Sequence, residues 1–121
     1  MDLRRALEEA AVRELAGAAF VVAGIGSLVE ASLRFADEPD ARTIAGPFEI
    51  LSLSGSLSAS GAHLHMSVAD ASGRVLGGHV GYGNPVRTTA EILLAPLPGW
   101  ALSREPDPAT GYDELVIRRK E

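Results

Sequence analysis

The strongest constraint in this chain is a run of alternating residues closed by a tight turn. Leu64, Met66 and Val68 alternate with His63, His65 and Ser67, the two-residue period of a half-buried strand. Asp70-Ala71-Ser72-Gly73 follows, and then a second short run from Arg74 to Val80. The loop fits a three-residue hairpin turn, with Gly73 in the left-handed position and a bulge. If Asp70 pairs with Arg74, the register places His65 opposite His79. His63 and His65 point the same way along their strand, and cross-strand Cβ atoms lie ~5 Å apart. All three histidines of the chain therefore fall on one patch. The same register sends Leu64, Met66, Val68, Leu76 and Val80 to the opposite, apolar face, which supports it independently of the histidines.

Three neutral imidazoles without a thiolate suit zinc or another late first-row divalent ion. Three ligands leave one position open for water or a small ligand, as in catalytic zinc sites. Gly77 and Gly78 remove bulk beside His79, so backbone or ligand can approach closely. If the strand after the hairpin keeps parity, Glu91 falls on the histidine face, where a carboxylate orients a ligand or moves a proton. Glu49 is a further carboxylate candidate. The competing account of His-x-His on a strand is a plain polar surface.

Composition narrows the partners. The 121 residues suffice for one domain spanning 1–121, able to bury roughly 65% of its unfolded surface. No apolar run reaches the ~20 residues of a membrane span. The charged start, Met1-Asp2-Leu3-Arg4-Arg5, is unlike a secretory signal, so the cytoplasm is the default compartment. There is no cysteine, which excludes disulfides and thiolate chemistry. The net charge is −5 and the pI about 5.1. Lys120 is the only lysine, and basic residues cluster only at Arg4-Arg5 and Arg118-Arg119-Lys120. Duplex DNA binding draws on several clustered cations, so a single copy is a poor DNA binder.

Along the chain, residues 2–16 have helical spacing (Leu3, Ala6, Leu7, Ala10, Ala11, Leu15), with Asp2 as N-cap and Gly17 as stop. Ala18–Ala23 suits a buried strand, and Gly24-Ile25-Gly26 is expected to turn the chain. Val29 stands where a dinucleotide fingerprint needs a third glycine. Ala36–Arg42 is a polar loop. Pro47–Leu57 is a strand with Leu51, Leu53 and Leu57 on one face and Ser52, Ser54 and Ser56 on the other. No nucleophile elbow surrounds these serines. Further strands are expected over Val86–Leu94, Trp100–Ser103 and Glu114–Arg118. The fold class is α+β: mostly antiparallel sheet with one clear N-terminal helix.

Gly46-Pro47-Phe48-Glu49-Ile50-Leu51-Ser52-Leu53-Ser54-Gly55, Gly73-Arg74-Val75-Leu76-Gly77-Gly78-His79 and Thr88-Thr89-Ala90-Glu91 together resemble the plant-and-prokaryote-conserved (PPC) domain family. Gly24-Ile25-Gly26-Ser27-Leu28 is similar to the family's early glycine turn. The resemblance spans about residues 18 to 118. It implies an α+β domain assembled as a homotrimer. Plant members carry AT-hooks and bind AT-rich DNA as nuclear regulators, and bacterial single-domain members carry a DNA-binding name. Bacterial members keep histidines at the positions of His63, His65 and His79, where metal is expected. The chain departs from the plant pattern in lacking an Arg-Gly-Arg-Pro hook and in placing Pro47 where plants have arginine. Family members usually begin with a strand before the first helix, whereas here the helical spacing starts at Asp2. The expectation is a homotrimeric metal-binding protein with a possible small ligand at the metal; the alternative is a DNA-binding regulator.

Overall fold

The computed structural model describes residues 1–120. Its N-terminal helix, α1 (Leu3–Glu14), opens where Asp2 accepts a hydrogen bond from the Arg5 amide. It closes where the Gly17 amide donates to Ala11 O at 2.8 Å, with Gly17 in the left-handed region. Leu3, Leu7 and Ala11 form the face it buries.

Seven strands follow: β1 (Ala18–Arg34), β2 (Arg42–Ser58), β3 (Gly61–Ala69), β4 (Val75–Val80), β5 (Val86–Pro96), β6 (Trp100–Pro106) and β7 (Asp113–Arg119). β1 is the hub. One of its edges runs antiparallel along β2. Its other edge is shared by β5, opposite residues 19–28, and by the end of β4, opposite Leu33 and Arg34. β2, β3 and β4 pair in succession, so the sheet curls until β4 returns to β1. The inside holds Leu28, Leu33, Leu53, Leu57, Leu64, Val68 and Val80, all at 1% exposure or less, with α1 against it. β6 and β7 form a separate two-stranded sheet. No helix is long and apolar enough to cross a membrane among the described residues.

The expected hairpin is present. His65 pairs with His79 and Val68 with Leu76, and Gly73 has a left-handed φ of 84°. Asp70 holds the loop by accepting from the amides of Ser72 and Arg74 at 2.9 Å each.

Three local expectations are corrected. Gly24-Ile25-Gly26 does not turn; β1 runs straight through it. The glycine is needed because β5 comes close: a Cβ on Gly26 would lie 2.6 Å from Thr89 O. β2 begins at Arg42, well before Pro47. The strand survives its proline because Leu28 pairs with Phe48 and Glu30 with Ala45, leaving Gly46-Pro47 as a bulge where no ladder N–H is required. Leu51 is not in the core. It is the extra residue between the Ile50–Val68 and Ser52–Ser67 pairs, and this bulge resets parity so that Ile50 and Leu53 face inward while Leu51 is 49% exposed.

Candidate metal centre

The histidines sit on the outer face of the curled sheet, opposite the core-facing Leu64, Met66 and Val80. Their ring centroids are 5.2, 5.2 and 5.4 Å apart. One ring nitrogen from each lies within 4.8 Å of the others. His63 Nε2 and His65 Nε2 are 3.3 Å apart. Two nitrogens bound tetrahedrally at zinc–nitrogen distances near 2.0–2.1 Å would be separated by about 3.4 Å. His79 Nδ1 is buried and has no hydrogen-bond partner among the described residues. A buried polar atom without a partner is costly, and a metal ion is one way to satisfy it.

The electrostatics keep two of the rings neutral. Burial, then the Arg34 guanidinium, pushes His79 down to about 4. Burial, then Arg104, lowers His63 below its ordinary value. Metal binding needs the imidazole lone pair, so a ring neutral at pH 7 is a ready ligand. The residues present fit a late first-row divalent ion.

Two arginines complete the surroundings. Arg34 faces His79 across the short β1–β4 ladder, and its guanidinium donates to Glu38 O at 3.3 Å. Arg104, from β6, donates to His63 Nδ1 at 2.7 Å and to Ser56 Oγ at 3.1 Å. The His63 contact has a consequence whichever way the ring is turned. A neutral imidazole has one lone pair. While Arg104 occupies it, the nitrogen facing His65 carries the proton, so a metal at His63 requires Arg104 to let go. His63, His79 and both arginines line an open cavity of about 1000 Å³.

The other candidates lie elsewhere. Parity alone would put Glu91 beside the histidines, but β5 pairs with β1 and not with β4. Glu91 stands opposite Ile25, whereas His79 stands opposite Arg34 at the far end of the same strand. Glu49 pairs with Ser27 and Ala69. Neither lines the cavity. Gly77 and Gly78 admit backbone rather than ligand: a Cβ on either would come within 2.7 Å of Met66 O or Arg34 O. Sequence reasoning missed Arg34 and Arg104. Arg34 had a weak signal, as the last member of the strand-like alternation Leu28, Glu30, Ser32, Arg34. Arg104 had none, because its ring partner lies 41 residues earlier.

A small antiparallel barrel with one helix and an imidazole cluster on its outer wall is the class of protein these features define. Over residues 1–98 the chain matches the family described as the Plants and Prokaryotes Conserved (PCC) domain, and it belongs to that family. A hypothetical protein of Salmonella cholerae-suis has the same fold, with a TM-score of 0.95 and 36% identity over 100% of this chain and 88% of that one. A protein of Archaeoglobus fulgidus described as metal-containing superposes with a TM-score of 0.80 at 29% identity, covering 96% of this chain and 86% of that one. A further solved neighbour, 25% identical, carries a provisional DNA-binding description. Among curated sequences, a Synechococcus protein named bifunctional protein GlmU is 49% identical over 117 residues, 97% of this chain. The chain spans only 18% of that relative's length, so the name describes a much longer protein.

Proposed function

We propose that this protein binds a divalent metal ion, zinc or a neighbouring late first-row ion, through His63, His65 and His79, and that it does so as a homotrimer. The observation that carries the metal reading is the convergence of three ring nitrogens within 4.8 Å on one face of a core-backed hairpin. The description of the Archaeoglobus relative as metal-containing adds support. When bound, such an ion with an open position polarises an oxygen ligand or lowers the pKa of its water. The chain's own residues would hold the ion and shape its surroundings. The trimer is what the family resemblance implies. Exposed apolar side chains agree with it: Phe20, Val22, Ile25, Val29, Leu51 and Leu93 are all 38–61% exposed and lie on β1 and its neighbours β2 and β5, where a partner copy could cover them.

Elemental analysis of the purified protein, with its mass in solution, tests both parts. The expected result is one metal equivalent per chain and three times the chain mass, with His65→Ala losing the metal. A full metal equivalent retained by His65→Ala would end the metal reading.

DNA binding is the second reading, resting on the solved neighbour's description. The charges oppose it. Arg4 pairs with Glu8, Arg118 pairs with Glu105, and Arg119 lies over the Trp100 ring. What remains of the two basic clusters is small against a net charge of −5. Binding to AT-rich duplex at physiological salt, weakening steeply as salt rises, would restore this reading.

A further inference from the structure

We propose that Arg34 and Arg104 form an anion clamp over the histidine cluster, and that the ligand taken there is a small oxyanion, a carboxylate or a phosphate. The proposal extends the metal reading by naming the class of ligand for the same site.

The two guanidiniums differ from the paired arginines of the protein. Arg4, Arg42, Arg74 and Arg118 each have a carboxylate within 4.0 Å. Among the described residues, Arg34 and Arg104 have none, yet both are half-buried in the cavity wall. A cation withdrawn from water without a counter-ion is expensive. Their protein contacts are to neutral acceptors: Glu38 O for Arg34, and Ser56 Oγ and His63 Nδ1 for Arg104. Each contact set occupies a single terminal nitrogen. Of the five N–H donors on each guanidinium, the rest have no protein partner among the described residues. Guanidinium groups match carboxylate and phosphate in two-point geometry.

The acidic residues of the cavity set the size of the anion. Asp37, Asp113 and Glu114 are exposed residues of its lining, and Glu38 is engaged by Arg42. Exposed carboxylates stay solvated and partly screened by salt, so they offset the half-buried guanidiniums only in part. They do repel a chain of phosphates lying across the opening. A small anion passes between them, while a nucleic-acid backbone meets them along its length.

Arg104 links clamp and metal. Its hydrogen bond to His63 would have to break if an ion took that ring, and the freed guanidinium, still in the cavity wall, would be available to an anion. Metal loading thus hands Arg104 from the histidine to the ligand.

The test is calorimetric titration of the protein, metal-loaded and metal-free, with inorganic phosphate and separately with oxalate. Metal content is measured on every sample. One oxyanion per chain is expected, bound more tightly by the metal-loaded protein. Arg34→Gln and Arg104→Gln should each weaken it about tenfold, the worth of one charge-assisted hydrogen bond. Arg74→Gln, at the hairpin turn, should leave it unchanged. Tighter phosphate marks a phosphate ester as the ligand source, and tighter oxalate marks a carboxylate. No oxyanion bound by either form, or binding untouched by both clamp variants, overturns the proposal. Protein that takes no metal but binds the oxyanion through the two arginines keeps the clamp and removes the metal reading. Protein that holds metal and binds no oxyanion does the reverse.

Discussion

The β3–β4 and β6–β7 hairpins are built alike and held differently. β3–β4 buries a full face in the barrel, with Leu64, Met66, Val68 and Val80 at 4% exposure or less. β6–β7 is a sheet of its own whose one buried side chain is Leu102. It touches the barrel through the Ala59 amide donating to Leu102 O and the Arg104 amide donating to Ser60 Oγ. Two-stranded ribbons are marginal without a hydrophobic face to pack on. The candidate site is thus assembled from a rigid part and a loosely held part: three imidazoles on one hairpin, a guanidinium on the other.

The largest effect that could break this contrast comes from truncating each anchor. Leu64→Ala should destabilise the whole protein by about 2–5 kcal/mol, seen as a lower urea midpoint with one transition. Leu102→Ala should instead act locally. Hydrogen exchange should speed up across the β6–β7 amides while the β3–β4 amides keep their protection. If Leu102→Ala strips protection from both hairpins together, the arm is part of the core unit and the contrast fails.

The same contrast explains what was legible in the sequence. The histidine face was readable because a strand's side-chain period and a turn's register are local rules, and Asp70 through Gly73 obey them. The fold class was readable for the same reason, strand by strand. Leu51 was misplaced because one bulge residue inverts parity, and nothing in Ile50-Leu51-Ser52 announces the bulge. Gly24 and Gly26 resembled a turn because glycine that admits a neighbouring strand looks the same in sequence as glycine that reverses the chain. Glu91 went astray on a longer-range fact: β5 lies beside β1, which precedes it by some sixty residues. Arg104 belongs to this last kind, since only the closed fold brings β6 over His63.

A smaller effect sharpens the rigid half. His79 is held near 4, below its ordinary 6.5, by burial and by Arg34. In metal-free protein the unfolded chain therefore takes up the proton first as pH falls. The stability contributed by the neutral ring is full above about 6.5 and is lost progressively toward 4. His63, lowered for related reasons, adds to the slope. Urea midpoints at pH 7 and pH 5 should show wild type losing stability, with His79→Gln losing less. Equal losses in the two proteins would mean that the ring is not held neutral by its surroundings.

The smallest effect tests how the loose half bears on the rigid one. Arg104 and a metal ion compete for the same ring, because His63 has a single lone pair to give when neutral. Removing the guanidinium should therefore favour the ion. A hydrogen bond of ~1.5 kcal/mol involving a charged donor corresponds to about tenfold in affinity, so Arg104→Gln should bind zinc about tenfold more tightly in a chelator competition. Part of any gain comes from deleting a positive charge near a cation. Arg34→Gln isolates that part, since Arg34 faces His79 yet shows no hydrogen bond to a ring among the described residues. A gain for Arg104→Gln well beyond that for Arg34→Gln identifies the shared lone pair as the link between arm and hairpin. Equal gains would reduce Arg104 to a nearby charge, and the two hairpins would then meet at the site without being coupled there.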